Sequence, residues 1–200
     1  MRKLACTVLP VLAIALLLGA GTAMAQDNVY DVTYFSNSHT AGAPDGVLRL
    51  VNDGNVSDAS PAGDLCASIY VFDTTEELQE CCSCRITPNG ILSLSVNNNL
   101  TRNTLTGRIL TRGVIKVVSS SPSAGTCNAA VSTPHVGIRG WQTHIQRTGF
   151  TGAAAFAITE EELTDSTFGA AEQADLAEDC GVLVELGTGQ GICSCTDSGQ

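Results

Sequence analysis

No lysine or arginine occurs after Arg147, although Thr151 to Gln200 holds ten acids. Lysine is scarce throughout, at Lys3 and Lys116 only. A chain with a formal net charge of −10 and no grouped cations argues against nucleic acid or anionic membrane as a partner, because phosphate binding needs clustered lysine and arginine. Long apolar runs are also missing beyond the first 25 residues, so no later segment predicts a membrane span, which wants about 20 apolar residues. Catalytic spacings are equally scarce. His39 sits in a polar stretch, His135 follows Pro134, and His144 lies near Trp141; no H-E-x-x-H or H-x-H offers two histidines from one element. There is no G-x-S-x-G elbow. Gly187-Thr188-Gly189-Gln190-Gly191 lacks the Walker lysine and the G-x-G-x-x-G spacing, and reads as a flexible turn. The sequence therefore nominates no catalytic and no cofactor-binding residue.

What is present begins with an export signal. Arg2 and Lys3 precede an almost wholly apolar run, Val8 to Gly19, and Ala23-Met24-Ala25 supplies the small residues a signal peptidase needs. Residues 1–25 read as a cleaved signal peptide, with the mature chain starting at Gln26 and no membrane insertion after cleavage. Removing Arg2 and Lys3 leaves eight basic against twenty acidic residues, a net −12, of which −10 falls in 151–200. Residues 26–200 are expected to form a single secreted, β-rich domain that is extracellular, on the cell surface or periplasmic. Its acidic segment 159–200 is a solvated face, or a surface for a cation or basic partner.

Eight cysteines survive processing: Cys66, Cys81, Cys82, Cys84, Cys127, Cys180, Cys193 and Cys195. An even number in an exported chain predicts four disulfides. Cysteines 81, 82 and 84 are too close in sequence to pair with one another without strain, as are 193 and 195. At least three bridges must therefore tie the 81–84 segment to distant chain, and the preferred partners lie in the Cys193/Cys195 tail. Each such long loop is worth roughly 3 to 5 kcal/mol in the chain-entropy model. The competing reading is a thiolate metal site, although the paired C-x-x-C knuckles of structural zinc are absent.

Alternation and β-formers predict strands at Val29 to Phe35, Val47 to Val51, Leu65 to Phe72, Ile91 to Val96, Leu105 to Leu110, Val114 to Ser119, Val136 to Ile145 and Phe150 to Ile158. Pro44-Asp45-Gly46, Asn52-Asp53-Gly54-Asn55, Pro88-Asn89-Gly90 and Arg112-Gly113 supply turns. This pattern reads as a mainly β protein: a disulfide-stapled antiparallel β-sandwich, Ig-like or jelly-roll-like, with two short helices. Asp73 with Glu76 predicts a helix to about Cys81, and Thr159 with Glu162 forms a capping box. Ala170 to Asp179 predicts a further helix stopped by Gly181, with Val182 to Leu186 as a last strand or a continued helix. Gly140 predicts a bulge that would align Val136, Ile138, Trp141 and Ile145 on one face. Ser119 to Gly125 and Asn97-Asn98-Asn99 predict exposed loops.

Asp53, Asn55, Ser57, Asp58 and Asp64 are oxygen donors of the kind calcium takes, without the spacing of an EF-hand. The stretch Ile69-Tyr70-Val71-Phe72-Asp73, then Glu80-Cys81-Cys82-x-Cys84 and Thr87-Pro88-Asn89-Gly90, resembles a segment of a family of secreted cysteine-containing proteins of environmental bacteria, acidobacteria among them. The resemblance implies export and bacterial origin, and no activity. The function expected is a non-catalytic extracellular or cell-surface structural or adhesion module, a filament or matrix subunit that associates with itself or with a surface partner. Strand addition by Val29 to Phe35 is one route to self-association. The alternatives are an extracellular hydrolase with a carboxylate site assembled by the fold, and a cysteine-based metal binder.

Overall fold

The computed structural model describes residues 29–54, 63–103, 106–152, 155–188 and 195. The signal-peptide segment 1–25, residues 189–191 of the glycine run, and Cys193 lie outside the described residues. The strands are β1 Tyr30–Ser36, β2 Val47–Asn52, β3 Leu65–Phe72, β4 Leu78–Ile86, β5 Ile91–Ser95, β6 Arg112–Ser121, β7 Thr133–Pro134, β8 Ile138–Arg147, β9 Phe156–Glu162 and β10 Thr164–Asp165, followed by the helix α1 Ala170–Leu183. One sheet runs β10-β1-β6-β3-β4, with β7 also on β6; the other runs β5-β2-β8-β9. All pairings are antiparallel.

Period-2 alternation explains how the sheets face each other. Leu48 and Leu50 of β2, Leu92 and Leu94 of β5, and Ile138 of β8 form one buried cluster with Leu65, Ala67, Ile69 and Val71 of β3 and Ile115 and Val117 of β6. The molecule is thus a mainly β sandwich. The opposite face of the first sheet is covered in part by α1, where Leu176 and Cys180 pack with Tyr30, Tyr70, Cys81 and Val118. Among the described residues no helix is long and apolar enough to cross a membrane.

The cysteine cluster lies on β4, and alternation sends its members to both sides of the sheet. Cys81 bonds to Cys180 on the helix side, whereas Cys84 bonds to Cys195, which packs against the sandwich core. Cys66 bonds to Cys127. Cys82 is also disulfide-bonded, to a cysteine outside the described residues. These sulfurs are therefore cross-links, and none of them is a thiolate ligand.

Several expected elements are different in the structure. The segment expected to be a helix from Asp73 is a turn leading into β4. Asp73 Oδ1 accepts from the Thr75 N–H at 2.7 Å, the Thr75 hydroxyl at 2.7 Å and the Glu77 N–H at 3.2 Å, and Glu76 has φ +67°. The same side-chain chemistry that caps a helix here closes a hairpin. The Thr159/Glu162 box lies within β9, which pairs with β8 from Phe156 to Glu162. Gly181 does not stop α1, which continues to Leu183 and into a π turn, Val184–Thr188, so the last-strand alternative is not realised.

Gly140 carries no bulge, because the β2–β8 register runs unbroken from Leu48 opposite Gln142 to Asn52 opposite Ile138. A Cβ at Gly140 would lie 2.4 Å from Leu163 Cδ1 and 2.7 Å from Leu50 Cδ2, so close packing accounts for this glycine. The inward row of β8 includes Gln142 and His144, both buried, and these polar residues hid the alternation. Arg112 and Gly113 begin β6 and are not a turn, and Ser119 and Ser120 are buried strand residues. Asn97 to Asn99 lie in a π turn, Val96–Leu100. Residues 106–110 form no strand beyond a bridge from Arg102 to Ile109.

Candidate functional site: the open half of the outer sheet face

The outer face of the first sheet is built from alternate residues of β1 and β6, Tyr30, Val32, Tyr34 and Ser36 beside Val118, Lys116, Val114 and Arg112. α1 covers only the Tyr30 and Val118 end. It is held there by the Cys81–Cys180 bond, by Phe168 stacked on Tyr30 at 4.9 Å, and by Glu172, whose Oε1 accepts from the Tyr30 hydroxyl at 2.8 Å and from Lys116 at 2.5 Å. Burial and the Glu172 carboxylate together push the Tyr30 hydroxyl's pKa far up. Burial raises Glu172, but the Lys116 and Tyr30 hydrogen bonds and the Lys116 charge outweigh it and hold the carboxyl below its usual range.

Three cavities lie along this face: two share Val114, and the third lies at the Ser36 and Arg112 end of the same two strands. The first, about 330 Å³, lies between α1 and the sheet, with Phe72, Val114 and Lys116 as floor and Glu76, Asp175 and Asp179 among its walls. Lys116 Nζ sits 4.6 Å from the Phe72 ring centroid, a cation–π contact. The second, about 300 Å³, is lined by Val32, Tyr34, Val114, His144 and Glu161 among others. The third, about 370 Å³, is lined by Ser36, Asn37, Thr40, Thr111, Arg112 and Arg147. The chemistry along this face runs from acidic, through apolar and aromatic, to basic and hydroxylic.

Tyr34 is 43 % exposed and lies flat on His144, ring centroids 4.2 Å apart, while His144 itself is 2 % exposed. Burial lowers the His144 pKa against the opposing pull of Glu161. Its Nδ1 has no hydrogen-bond partner among the described residues, and neither has Oε1 of the buried Gln142 in the same strand.

The loop that bounds the third cavity is pinned at several points. Ser36 Oγ and Asn37 Nδ2 both donate to the Ile145 carbonyl, at 2.6 and 2.8 Å. Asn97 Oδ1 accepts from the Ser38 hydroxyl at 2.6 Å and the His39 N–H at 3.0 Å, and His39 Nε2 meets Thr101 Oγ1 at 2.9 Å. Asn37 and His39 hold left-handed conformations, φ +57° and +53°. Such non-glycine positions persist where surrounding contacts fix them. Burial, followed by the nearby Arg102 charge, lowers the His39 pKa.

The calcium donors expected from sequence are not brought together by the described residues. Asn55, Ser57 and Asp58 lie outside these residues, while Asp53 pairs with Arg139 at 3.7 Å and Asp64 with Arg85 at 3.6 Å. Among the described residues no group of three or more His, Cys, Asp or Glu is placed to hold a metal ion. Sequence reasoning missed Tyr34, Lys116, Arg112 and Arg147 as site residues. Their only linear signal is alternation along β1 and β6, which places them on one face without showing that the helix stops short of it. No protein-family model, curated protein or solved structure matches the chain.

Proposed function

We propose that the protein is a secreted, non-catalytic adhesion or structural module of the cell surface or matrix, which holds an extended ligand along the open half of its outer sheet face. The observation that carries this reading is the set of three cavities placed along the β1 and β6 residues of one disulfide-linked sheet. Ligand sites are concave, partly apolar and largely pre-formed. The signal-peptide pattern of residues 1–25 and the disulfides support export.

Self-assembly by strand addition from β1 is disfavoured, since β1 lies between β10 and β6. The edges of the other sheet are β5 and β9, and on β9 Glu160, Glu161 and Glu162 place like charges that oppose edge-to-edge pairing. A surface partner fits better than a filament of this kind. The hydrolase reading has one observation in its favour, namely that His144 and Glu161 line one cavity. Against it, the Tyr34 ring caps His144 and leaves the imidazole 2 % exposed.

The test is retention of the mature protein on a panel of immobilised polysaccharides, with and without Tyr34→Ala. Retention by at least one polymer, weakened about tenfold by the substitution, is expected for loss of one aromatic contact worth about 1 to 1.5 kcal/mol. Retention by none would overturn the reading. Release of sugar from the panel, abolished by His144→Gln, would replace it with the hydrolase.

A further inference from the structure

Five of the eight cations in residues 26–200 are ion-paired: Arg49 with Glu160, Arg85 with Asp64, Arg108 with Asp73, Lys116 with Glu172 and Arg139 with Asp53. Arg102, Arg112 and Arg147 have no ion pair among the described residues. Arg112 and Arg147 line the same 370 Å³ cavity. Arg102 acts electrostatically on His39, next to Thr40 of that cavity, where the Asp45 charge opposes it. Two like charges lining one cavity repel one another, and an anion between them relieves that repulsion.

The remaining wall of the cavity is chemically uniform. Ser36, Asn37, Thr40 and Thr111 supply hydroxyl and amide groups, on a loop already held by the Ile145 carbonyl. The Phe156 ring lies 5.5 Å from Arg147 Cζ and restrains the guanidinium. Guanidinium groups read carboxylate, sulfate or phosphate through paired N–H donors. The choice among these anions follows from the rest of the molecule. A protein this acidic repels a dense polyanion at long range, so the ligand carries isolated single charges between neutral, hydroxyl-rich units.

We infer that the Arg112–Arg147 cavity holds the carboxylate of a uronic acid residue in an otherwise neutral polysaccharide, whose neighbouring sugar lies against the exposed Tyr34 ring. This rests on the reading of the open face as the ligand surface. It adds the class of ligand and the polarity with which it lies, acid group toward the loop end.

The test is affinity electrophoresis of the mature protein in three gels, containing glucuronoxylan, the same polymer after reduction of its carboxyl groups, or heparin. Wild type is expected to bind glucuronoxylan about tenfold or more tightly than the reduced polymer, the range for charge-assisted hydrogen bonds. In the double variant Arg112→Gln/Arg147→Gln that preference falls to about onefold, while Tyr34→Ala weakens both xylans alike. Equal retardation of wild type by the two xylans, still weakened by Tyr34→Ala, overturns the uronate assignment and leaves the adhesion reading standing. A preference that survives the double arginine variant also overturns it, as does tighter binding to heparin, which moves the ligand to sulfate. Retardation by none of the three overturns the assignment outright.

Discussion

Asp73 shows how one side chain decides the fate of a segment. Its carboxylate organises the Thr75–Glu77 turn, meets Arg108 at 2.7 Å through Oδ2, and accepts from Gln79 Nε2 at 3.1 Å. Burial raises its pKa, but the hydrogen bonds from Thr75 and Glu77 and the Arg108 charge outweigh that and hold it below the usual range. Its contribution to stability is therefore present above the ordinary carboxylate pKa and is lost as pH falls through the lowered value. Asp73→Ala is expected to cost about 2 kcal/mol in urea denaturation at pH 7, with the difference from wild type shrinking in acid. Gly140→Ala belongs at the same scale. Its methyl would strike Leu163 and Leu50, and we expect a loss of about 1 to 3 kcal/mol. Both residues were visible in the sequence with the wrong meaning. An Asp followed by Glu three positions on, and a glycine in a strand, are local signals open to more than one outcome: Asp73 closes the Thr75–Glu77 turn and also meets Arg108, and Gly140 packs against Leu163.

At the scale of elements, β3 was legible to the residue because Leu65 to Phe72 is a continuous β-forming run. β4 was missed because Gln79, Glu80 and three cysteines break the pattern, although eight of its nine positions are buried or half-buried. The extent of α1 past Gly181 could not be read locally either. Only Leu176 and Cys180 of its 14 residues are buried, so the helix rests on the Cys81–Cys180 bond and the Glu172 contacts. The double variant Cys81→Ser/Cys180→Ser is expected to leave the sandwich folded while α1 becomes cleavable by limited proteolysis. Full protection of the helix would show that packing alone holds it.

The β1–β10 pairing places Asp31 opposite Asp165. Burial first, then the hydrogen bond and charge of Asp165 and the charge of Glu162, raises the Asp31 pKa to about 7. A carboxyl raised in the folded state holds its proton there after the unfolded chain has released it. Its stabilising contribution is complete below the unfolded value near 4 and disappears as pH rises to about 7. Thermal stability should therefore fall between these limits, and Asp31→Asn should flatten that slope and raise the melting temperature above pH 7.

For the whole molecule, the three assigned bridges all interlace: Cys66–Cys127, Cys81–Cys180 and Cys84–Cys195 each enclose one end of the other two. Peptide mapping under non-reducing conditions is expected to return these pairs and to join Cys82 to Cys193. Free thiol at either of the last two would contradict that pairing. The sequence arithmetic anticipated that cysteines 81, 82 and 84 must reach distant chain. Its preference for the Cys193/Cys195 tail holds for Cys84 and fails for Cys81, which bonds to Cys180, since the partner depends on which side of β4 each sulfur faces.

The Cys84–Cys195 bond also governs how the chain carries load. A pull applied at residue 195 passes directly into β4, at the edge of a sheet, and bypasses everything between. The enclosed separation of 111 residues corresponds to roughly 390 Å of extended chain that tension cannot draw out while the bond is intact. Reducing that single bond would free only the stretch between Cys180 and Cys195, because Cys81–Cys180 would still carry the pull into the same strand.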